Sequence, residues 1–394
     1  MTRPRLSLYI DPEPTAEELL FARQLGVDCV YTWVRADQRG YPFLLDLRRR
    51  VEEAGLVLYN VGNLDVGKSD QIHLALPDRD DRIGEFQTFV RDLGRAGIHV
   101  TTFTWEPTGV WSSQPGETRG ARARHVDLDE MLRRPWTHGR AYSEDEIWAN
   151  YRYFIERILP VAQEADVRLA LHPNDPPVPA LGGIPCLIHS FQDYERAFAI
   201  ADSPYLGMEF CIGCWLEGGA VFGDMFQAIR QFQAQGKILI VHFRNISAPL
   251  PDFVETFLDN GYMDMYQVMK LFCDIGYEGT MILDHSPQFV PGMGRGTGTA
   301  YAIGAMHALM KRALGATGLQ TITRLQWRGE GGHKTPIGGS YHVRLHRAIG
   351  WASRVHGSTP GLWPGRAVDR ARRSMPVGSG FAPTLACRRR SPLR

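Results

Sequence analysis

Four short apolar runs in the second half of the sequence each end in a residue that can bind a metal ion. The first run, 169–171, ends in His172, and the prolines that follow cannot continue a helix or a central strand. This pattern is typical of a buried parallel strand that delivers its last side chain to a loop. The strand-end residues are His172, Cys211, His242 and Asp284, separated by 39, 31 and 42 residues.

Each separation has room for one helix, and the first half of the chain shows the same alternation. Apolar runs predict strands at 6–10, 27–33, 56–61 and 98–105. Eight strand–helix units in about 315 residues predict a (β/α)8 barrel over residues 1–318. An open doubly wound sheet is the alternative. However, no Gly-x-Gly-x-x-Gly turn follows the first strand, and the metal-binding strand ends lie too far along the chain for one switch point.

Two segments fall outside this alternation. Residues 106–142 are polar and rich in Gly, Arg, Pro and Trp, which predicts a lid or a binding insertion. Residues 319–394 contain 14 Lys and Arg against 2 Asp and Glu, with many Gly and Pro, so we expect a basic, disordered tail. Such a tail is compatible with nucleic-acid binding, but a solvated tail is the simpler interpretation.

Composition limits the class of protein. Hydrophobic residues make up 44% of the chain and charged residues 22%, as in globular proteins. No apolar stretch is long enough to predict a membrane span, and the first residues lack the apolar core of a signal peptide. The six cysteines show no disulfide-framework pattern. Cys211 and Cys214 have the spacing of a redox or zinc centre, but no second cysteine pair accompanies them, which favours two separate thiols. We therefore expect a cytoplasmic protein with reduced thiols.

The four strand-end residues form a mixed nitrogen, sulfur and oxygen ligand set. Imidazole and thiolate suit Zn²⁺ or Fe²⁺, and the carboxylate also admits Mn²⁺. Taken singly, each residue has a simpler interpretation as a hydrogen-bonded histidine, a buried cysteine or a helix-capping aspartate. Their recurrence at successive strand ends favours one shared metal site.

Two residues beside the ligands are candidates for the chemistry. His285 follows Asp284 and titrates near neutral pH, which suits an acid or base; the alternative is a hydrogen bond to a carboxylate. Arg244 lies two residues past His242 and therefore faces the same way, where its guanidinium suits a substrate carboxylate. A surface salt bridge is the alternative for Arg244.

Several motifs around these residues are shared with a known enzyme family. They are His-Pro-Asn-Asp-Pro-Pro (172–177), Gly-Gly-Ile-Pro (182–185), Glu-Phe-Cys-Ile-Gly (209–213), Val-His-Phe-Arg-Asn (241–245), Asp-Met-Tyr-Gln-Val-Met-Lys (264–270), Ile-Gly-Tyr-Glu-Gly (275–279) and Asp284-His285. Together they resemble the D-mannonate dehydratase family, one of the xylose isomerase-like barrels. The resemblance is best from about residue 80 to 315.

The resemblance implies a barrel enzyme that binds a divalent metal, Mn²⁺ or Fe²⁺, through His172, Cys211, His242 and Asp284. It implies removal of water from D-mannonate or a similar aldonic acid, giving 2-keto-3-deoxy-gluconate in hexuronate breakdown. His285 is the expected proton-transfer residue, and Tyr301 is the nearest match to a catalytic tyrosine of the family. The predicted substrate-binding residues are Arg244, Asn174 and Trp105.

The sequence departs from the family pattern in its first third, in the Gly-rich segment before the last helix, and at Ser286 after His285. These departures concern the substrate and proton transfer and leave the metal ligands intact. The alternatives are a metal-dependent sugar isomerase or epimerase on the same barrel and a non-catalytic binder of sugar acids or nucleic acid. We expect a small-molecule sugar acid as the partner, no membrane, and a homo-oligomer as one option.

Overall fold

A barrel of eight parallel strands is the centre of the molecule. The structure, a computed structural model, describes residues 2–290, 292, 294 and 296–315, so the predicted basic tail at 319–394 lies outside the described residues. The barrel strands are β1 (Arg5–Tyr9), β2 (Cys29–Val34), β3 (Val57–Asn63), β4 (Val100–Thr104), β5 (Arg168–His172), β6 (Leu206–Cys211), β7 (Ile238–His242) and β8 (Thr280–Ile282).

A helix follows each barrel strand, and shorter elements fill the loops. The barrel helices are α1 (Ala16–Gln24), α2 (Tyr41–Glu53), α3 (Arg79–Ala96), α4 (Glu144–Glu164), α5 (Phe191–Ala201), α6 (Met225–Ala234), α7 (Met265–Asp274) and α8 (Gly296–Leu314). The shorter helical segments are Ala36–Gln38, Leu64–Gly67, Asp70–His73, Leu128–Leu132 and Ile212–Phe222. The shorter strands are Gly116–Thr118, Ala121–Ala123, His125–Asp127, Ala180–Leu181, Ile184–Pro185, Asn245–Ile246 and Asp252–Thr256.

Local sequence signals fix where the helices begin. The Thr15 hydroxyl accepts a hydrogen bond from the backbone N–H of Glu18 at the start of α1. Ser143 does the same for Glu146 at the start of α4, and the Glu146 side chain accepts in return from the Ser143 backbone. Among the described helices, none combines the length and apolarity needed to cross a membrane.

The pairing of β1 shows that the sheet closes on itself. β1 runs parallel to β2 on one side and to β8 on the other, and the neighbour order is β3-β2-β1-β8-β7-β6-β5-β4. At the seam between β3 and β4 the Thr101 hydroxyl donates to the Val61 carbonyl at 2.8 Å. The predicted (β/α)8 barrel is therefore confirmed. The open doubly wound alternative is wrong because the first and last strands pair.

The apolar core lies mainly between the strands and the surrounding helices. Phe103 of β4 packs against Phe86 of α3 and Phe154 of α4, with ring centroids 6.5 and 5.6 Å away. All three rings are buried. Such packing holds the strands parallel, so that their carboxyl ends meet at one rim, where (β/α)8 enzymes carry their active sites.

The insertion at 106–142 has structure of its own and is tied to that rim. His125–Asp127 pairs antiparallel with Asp252–Thr256, which in turn pairs with Asn245–Ile246 directly after β7. The insertion is therefore fastened to the loop that follows a barrel strand. Its residues can reach the side chains at the carboxyl end of the barrel.

Gly62→Ala should destabilise the barrel, because a Cβ at this position of β3 would overlap the indole ring of Trp33 on β2. Overpacking of this kind typically costs about 1–3 kcal/mol, which urea unfolding would measure as a fall in the free energy of unfolding. Gly84→Ala in α3 is the matched control, since its Cβ would meet no atom within 4 Å. The control should be neutral or stabilising by about 0.5–1 kcal/mol. Equal effects of the two substitutions would contradict the close approach of Trp33.

Candidate metal centre and active-site cavity

The four strand-end residues converge at the carboxyl rim. His172, Cys211 and His242 are the last residues of β5, β6 and β7, and Asp284 follows the end of β8 by two residues. Ligand atoms of Cys211, His242 and Asp284 lie within 4.8 Å of one another, and His172 shares such a group with Cys211 and another with His242. Parallel neighbouring strands explain the convergence, because each strand brings its final side chain to the same edge.

The imidazole of His172 is held with one nitrogen towards this group. Its Nδ1–H donates to the carbonyl oxygen of Pro173 at 2.6 Å, which leaves Nε2 as the unprotonated nitrogen of the neutral ring. A hydrogen bond at the far ring nitrogen is the usual way in which a metal-binding histidine is oriented. The ring centroid of His172 lies 5.0 Å from that of His242.

Glu209 orients the second histidine, and the sequence prediction missed it. The Nε2–H of His242 donates to Glu209 Oε1 at 2.6 Å, and the Thr102 hydroxyl donates to the other carboxylate oxygen. Glu209 was detectable as the charged residue within the otherwise apolar strand β6, because a buried charge needs partners. Nδ1 of His242 lies buried 3.3 Å from Asp284 Oδ1 and makes no hydrogen bond within the described chain.

The thiol of Cys211 is arranged to ionise. The backbone N–H of Cys214 donates to its Sγ at 3.5 Å, and Nη2 of Arg244 donates at 3.6 Å. Burial opposes ionisation, but the Cys214 side chain, Arg244 and the two neighbouring histidines lower the pKa of Cys211 well below its usual value. Cys211 Sγ is 3.8 Å from Asp284 Oδ2, so a thiolate and a carboxylate face each other where a cation would stabilise both.

Asp284 is held as a carboxylate in an unusual backbone conformation. Its φ is +60°, in the left-handed region that residues other than glycine seldom adopt. Nε of Arg244 donates to Oδ2 at 2.8 Å. Burial disfavours the charged form, yet His285, His242 and Arg244 lower the pKa of Asp284 well below its usual value. In return Glu209 and Asp284 outweigh burial and raise the pKa of His242 well above its usual value.

Arg244 is the centre of a buried charge network beneath the rim. Its side chain is 1% exposed, and Gly213 leaves the room it needs, because a Cβ there would overlap the guanidinium. All five N–H groups of the guanidinium face acceptors. The contacts are Nε to Asp284, Nη1 to Glu217 at 2.7 Å and Glu255 at 2.8 Å, and Nη2 to Asp175 at 3.1 Å and the sulfurs of Cys211 and Cys214.

The insertion contributes a second arginine to the same network. Arg124 donates to Asp175 at 2.6 Å and to Glu217 and Glu255 at 3.3 Å each. Burial and nearby Asp175 raise the pKa of Glu217 well above its usual value, although Arg244 and Arg124 oppose this shift. The two guanidinium charges therefore balance carboxylates that lie below the metal-binding group.

His285 lies at the edge of this network and reaches solvent. Its Nδ1–H donates to Glu255 at 3.0 Å, and Nε2 is 3.5 Å from Asp284. The side chain is 46% exposed. Asp284 outweighs the effect of burial and, with Glu255, raises the pKa of His285 to about 9. The ring is therefore protonated near neutral pH.

A cavity of about 410 Å³ opens above these groups, within the ~300–1,000 Å³ typical of small-molecule sites. His172, His242, Asp284 and His285 all line it. The rest of its wall comes largely from residues of the first four strand ends and includes Tyr31, Trp33, Asn60, Leu64, Lys68 and Glu106. The metal-binding group and the predicted acid or base thus share one small chamber.

Tyr301 has a different environment. Its hydroxyl donates to Asp259 at 2.8 Å and accepts from Arg119 at 3.2 Å, and its ring packs against Phe257 and Phe289. It is not among the residues that line the cavity. Its catalytic role stays a prediction, and these contacts place the hydroxyl in a surface hydrogen-bond pair instead.

The two other predicted substrate-binding residues are engaged inside the fold. The Asn174 side chain donates to the Trp105 carbonyl at 3.1 Å and accepts from the Ile188 backbone at 2.8 Å. Trp105 is 1% exposed, with its ring centroid 5.3 Å from that of Tyr151. Neither lines the cavity. Asn174 fixes the loop after His172, and Trp105 packs in the core, so substrate contact by either residue stays a prediction.

The residues present fit a divalent metal ion. Two imidazoles, a low-pKa thiol and a carboxylate are borderline ligands of the kind that Zn²⁺, Fe²⁺ and Mn²⁺ accept. The buried Nδ1 of His242, which makes no hydrogen bond within the described chain and lies 3.3 Å from Asp284, and the adjacent sulfur and carboxylate are the atoms that a cation would satisfy. The described chain therefore contains a group able to hold a metal ion.

Comparison with known proteins shows which family this chain resembles. The chain matches the family model described as D-mannonate dehydratase (UxuA) over residues 124–322. It is 31% identical over 318 residues to the mannonate dehydratase of Thermotoga maritima, which covers 69% of this chain and 87% of the relative. It is 28% identical over 322 residues to that of Streptococcus pneumoniae, covering 74% of this chain and 84% of the relative.

Solved structures agree on the fold. The mannonate dehydratase of Streptococcus suis serotype 2 superposes with a TM-score of 0.73 at 24% identity, covering 85% of this chain and 100% of that one. A xylose isomerase domain protein from Planctomyces limnophilus gives a TM-score of 0.54 at 14% identity, covering 79% and 99%. Because the family model matches half the chain and the Thermotoga relative covers two thirds of it, this chain belongs to the D-mannonate dehydratase family.

Proposed function

We propose that this enzyme removes water from D-mannonate, or from a similar aldonic acid, to give 2-keto-3-deoxy-gluconate in hexuronate breakdown. The proposal rests on one observation in a chain of this family: three of the four proposed metal ligands, His172, His242 and Asp284, line a single cavity together with His285, and Cys211 lies beside them. The reaction needs a proton to leave C2 and a hydroxyl group to leave C3. We assign the second requirement to His285, and the first requires a base in the cavity that accepts the C2 proton.

We infer that the cofactor is Mn²⁺ or Fe²⁺ and that His172, Cys211, His242 and Asp284 hold it. Such an ion, when bound, supplies Lewis-acid stabilisation of negative charge on substrate oxygens. The chain's own contribution is to prepare the ligands. Glu209 and the Pro173 carbonyl fix the two imidazole orientations, and Arg244 holds the thiolate and the carboxylate in place.

His285 is the proposed proton donor to the departing C3 hydroxyl. Its ring lines the cavity, and Glu255 accepts from Nδ1 and so leaves Nε2 for the proton that is transferred. Asp284 and Glu255 favour the charged ring, which is the form that an acid needs at the start of the reaction. A proton on the hydroxyl allows it to leave as water.

An isomerase or epimerase on the same barrel is not favoured. It would use a similar ligand set but move a proton between carbons without loss of water. Relatives named as epimerases share only the fold with this chain, whereas the relatives at about 30% identity are mannonate dehydratases. The proposal of a nucleic-acid binder depended on residues 319–394, which lie outside the described chain.

We further propose that the enzyme works in the cytoplasm, and a homo-oligomer stays one option for its assembly. The five cysteines in the described chain are all free, as expected of a reducing compartment. Size-exclusion chromatography with light scattering would test the oligomeric state, and fractionation of the source cells would test the location.

Incubation of the purified chain with D-mannonate and Mn²⁺ or Fe²⁺ should produce a 2-keto-3-deoxy acid. A semicarbazide or thiobarbiturate assay would detect the keto acid, and mass spectrometry would show the loss of one water. Metal-free protein should be inactive and recover on adding the ion. Exchange between aldose and ketose without loss of water would support the isomerase instead.

Cys211→Ala and His242→Ala should each lose most of the bound metal while the barrel stays folded, since each removes one ligand of the proposed site. Elemental analysis by mass spectrometry would measure the metal, and circular dichroism the fold. Cys273→Ala is the matched control, because this buried thiol lies on α7 away from the rim. Full metal occupancy in both site variants would refute the ligand assignment.

His285→Asn should retain the metal and lose about two or more orders of magnitude in kcat, the usual scale for a proton-transfer group. Steady-state kinetics on D-mannonate and metal analysis would be run on the same preparation. His307→Asn is the control, because this ring bonds the Leu25 carbonyl far from the rim. An unchanged kcat in His285→Asn would assign the residue to a structural role.

A further inference from the structure

We propose that Lys68 binds the carboxylate of the sugar-acid substrate and makes the cavity selective for acids over neutral sugars. The proposal rests on the proposed function, because it takes an aldonic acid as the substrate. Of the described residues, Lys68 is the one lysine or arginine that lines the cavity.

The cavity needs a cation that is free to meet an anion. Four carboxylates line it, from Glu106, Asp175, Glu209 and Asp284. Two of its histidines are committed to holding the proposed metal, and His285 is bonded to Glu255. Lys68 adds to the wall a positive charge that serves none of these roles, and this charge favours an approaching sugar acid.

Neither arginine of the network can take this role without leaving its carboxylates. Arg244 is 1% exposed, and its N–H groups are directed to Asp284, Glu217, Glu255 and Asp175. Arg124 has a 10% exposed side chain and donates to buried carboxylates. Moving either guanidinium towards a substrate would leave buried charges unpaired, which is costly. The substrate carboxylate therefore requires a different partner.

The fold holds the backbone of Lys68 at the mouth of the barrel. Asn63 ends β3 and caps Leu64–Gly67, its side chain accepting from the Val66 backbone at 3.2 Å and donating to the Val34 carbonyl at 2.9 Å. Gly67 packs tightly on β4, where a Cβ would lie 3.3 Å from the Thr102 carbonyl oxygen. Lys68 follows directly, and its N–H donates to Leu64 at 3.1 Å.

In the described chain the ammonium group of Lys68 is held by a long ion pair. Its nearest carboxylate is Glu106, at 4.0 Å from Nζ, which is the outer limit of an ion pair, and the Lys68 side chain is 31% exposed. Glu106 already accepts from the Asp175 backbone at 2.6 Å. A closer anion would gain the charge-assisted hydrogen bonds that Glu106 does not make.

The position of Lys68 suits a substrate that spans the chamber. β3, which precedes Lys68, lies four strands from β7 in the barrel order, so the chain enters the Lys68 segment from the side of the barrel opposite the strand that carries His242. Tyr31, Trp33 and Leu64 line the wall on the same side as Lys68. A carboxylate at Lys68 would leave the hydroxylated carbons to extend towards the metal-binding group and His285.

The test compares a sugar acid with its neutral alcohol. Binding of D-mannonate and D-mannitol to the metal-loaded protein would be measured by isothermal titration calorimetry for the otherwise unmodified chain, Lys68→Met and Lys68→Arg, each carrying His285→Asn so that turnover does not interfere. Lys68→Met should weaken D-mannonate binding roughly 10- to 100-fold, the worth of a charge-assisted hydrogen bond, and leave D-mannitol binding unchanged. Lys68→Arg should retain most of the preference. KM for D-mannonate should rise in Lys68→Met by a larger factor than kcat falls.

Lys270→Met is the matched control, because this exposed lysine pairs with Asp274 on α7. Unchanged D-mannonate affinity in Lys68→Met, an equal loss for both ligands, or no preference for the acid in the unmodified chain would each overturn the proposal. An unmodified chain that prefers D-mannonate without dehydrating it, and loses the preference in Lys68→Met, would refute the proposed reaction and uphold Lys68. A chain that dehydrates D-mannonate but keeps its affinity in Lys68→Met would uphold the proposed reaction and refute the role of Lys68.

Discussion

The buried guanidinium of Arg244 is the interaction on which the candidate site depends. It connects β7 to Asp284 after β8, to Cys211 at the end of β6 and to Asp175 after β5. One planar group with five donors therefore fixes the relative positions of groups on four strands. Without that positive charge, a thiolate and several carboxylates would lie together in a low-dielectric interior, and at least one of them would take up a proton.

The ligand histidines are prepared separately, each by an acceptor from its own surroundings. His172 bonds the carbonyl of the residue that follows it, and His242 bonds Glu209 on the neighbouring strand. These bonds select which nitrogen of each ring is free, so the site is organised before any ion arrives. Preorganisation of this kind lowers the free energy that binding must spend on ordering ligands.

The barrel and its ligand-bearing rim could be predicted from the sequence because their signals are local. The apolar run that ends in His172 is followed by prolines, so a few neighbouring residues predict both the strand and its last residue. The charge network could not be predicted in the same way, since Arg124 and Asp175 lie 51 residues apart and Arg244 and Asp175 lie 69 apart. Arg244 was read as facing a substrate because its position after His242 gives a direction but not its neighbours.

Other differences between the predicted and the observed structure also arise from contacts that the local sequence does not specify. The helix Ile212–Phe222 was not predicted, and its start depends on Cys211, whose thiol accepts from the Cys214 backbone as a cap. Asn174 and Trp105 stand beside the motifs in sequence, yet tertiary packing turns both into the interior. Glu209 was visible in the sequence as a charge within a buried strand. Its partner, His242, could only be assigned once β6 and β7 were known to be neighbours.

The insertion at 106–142 shares its electrostatics with the catalytic rim through Arg124. Its folding is therefore coupled to assembly of the metal-binding residues, because the carboxylates that Arg124 neutralises are those that Arg244 also holds. A relative could not exchange this segment as an independent module without also rebalancing the charges beneath the candidate metal site. Substitutions in the insertion and substitutions in the candidate metal site are therefore constrained by the same charge balance.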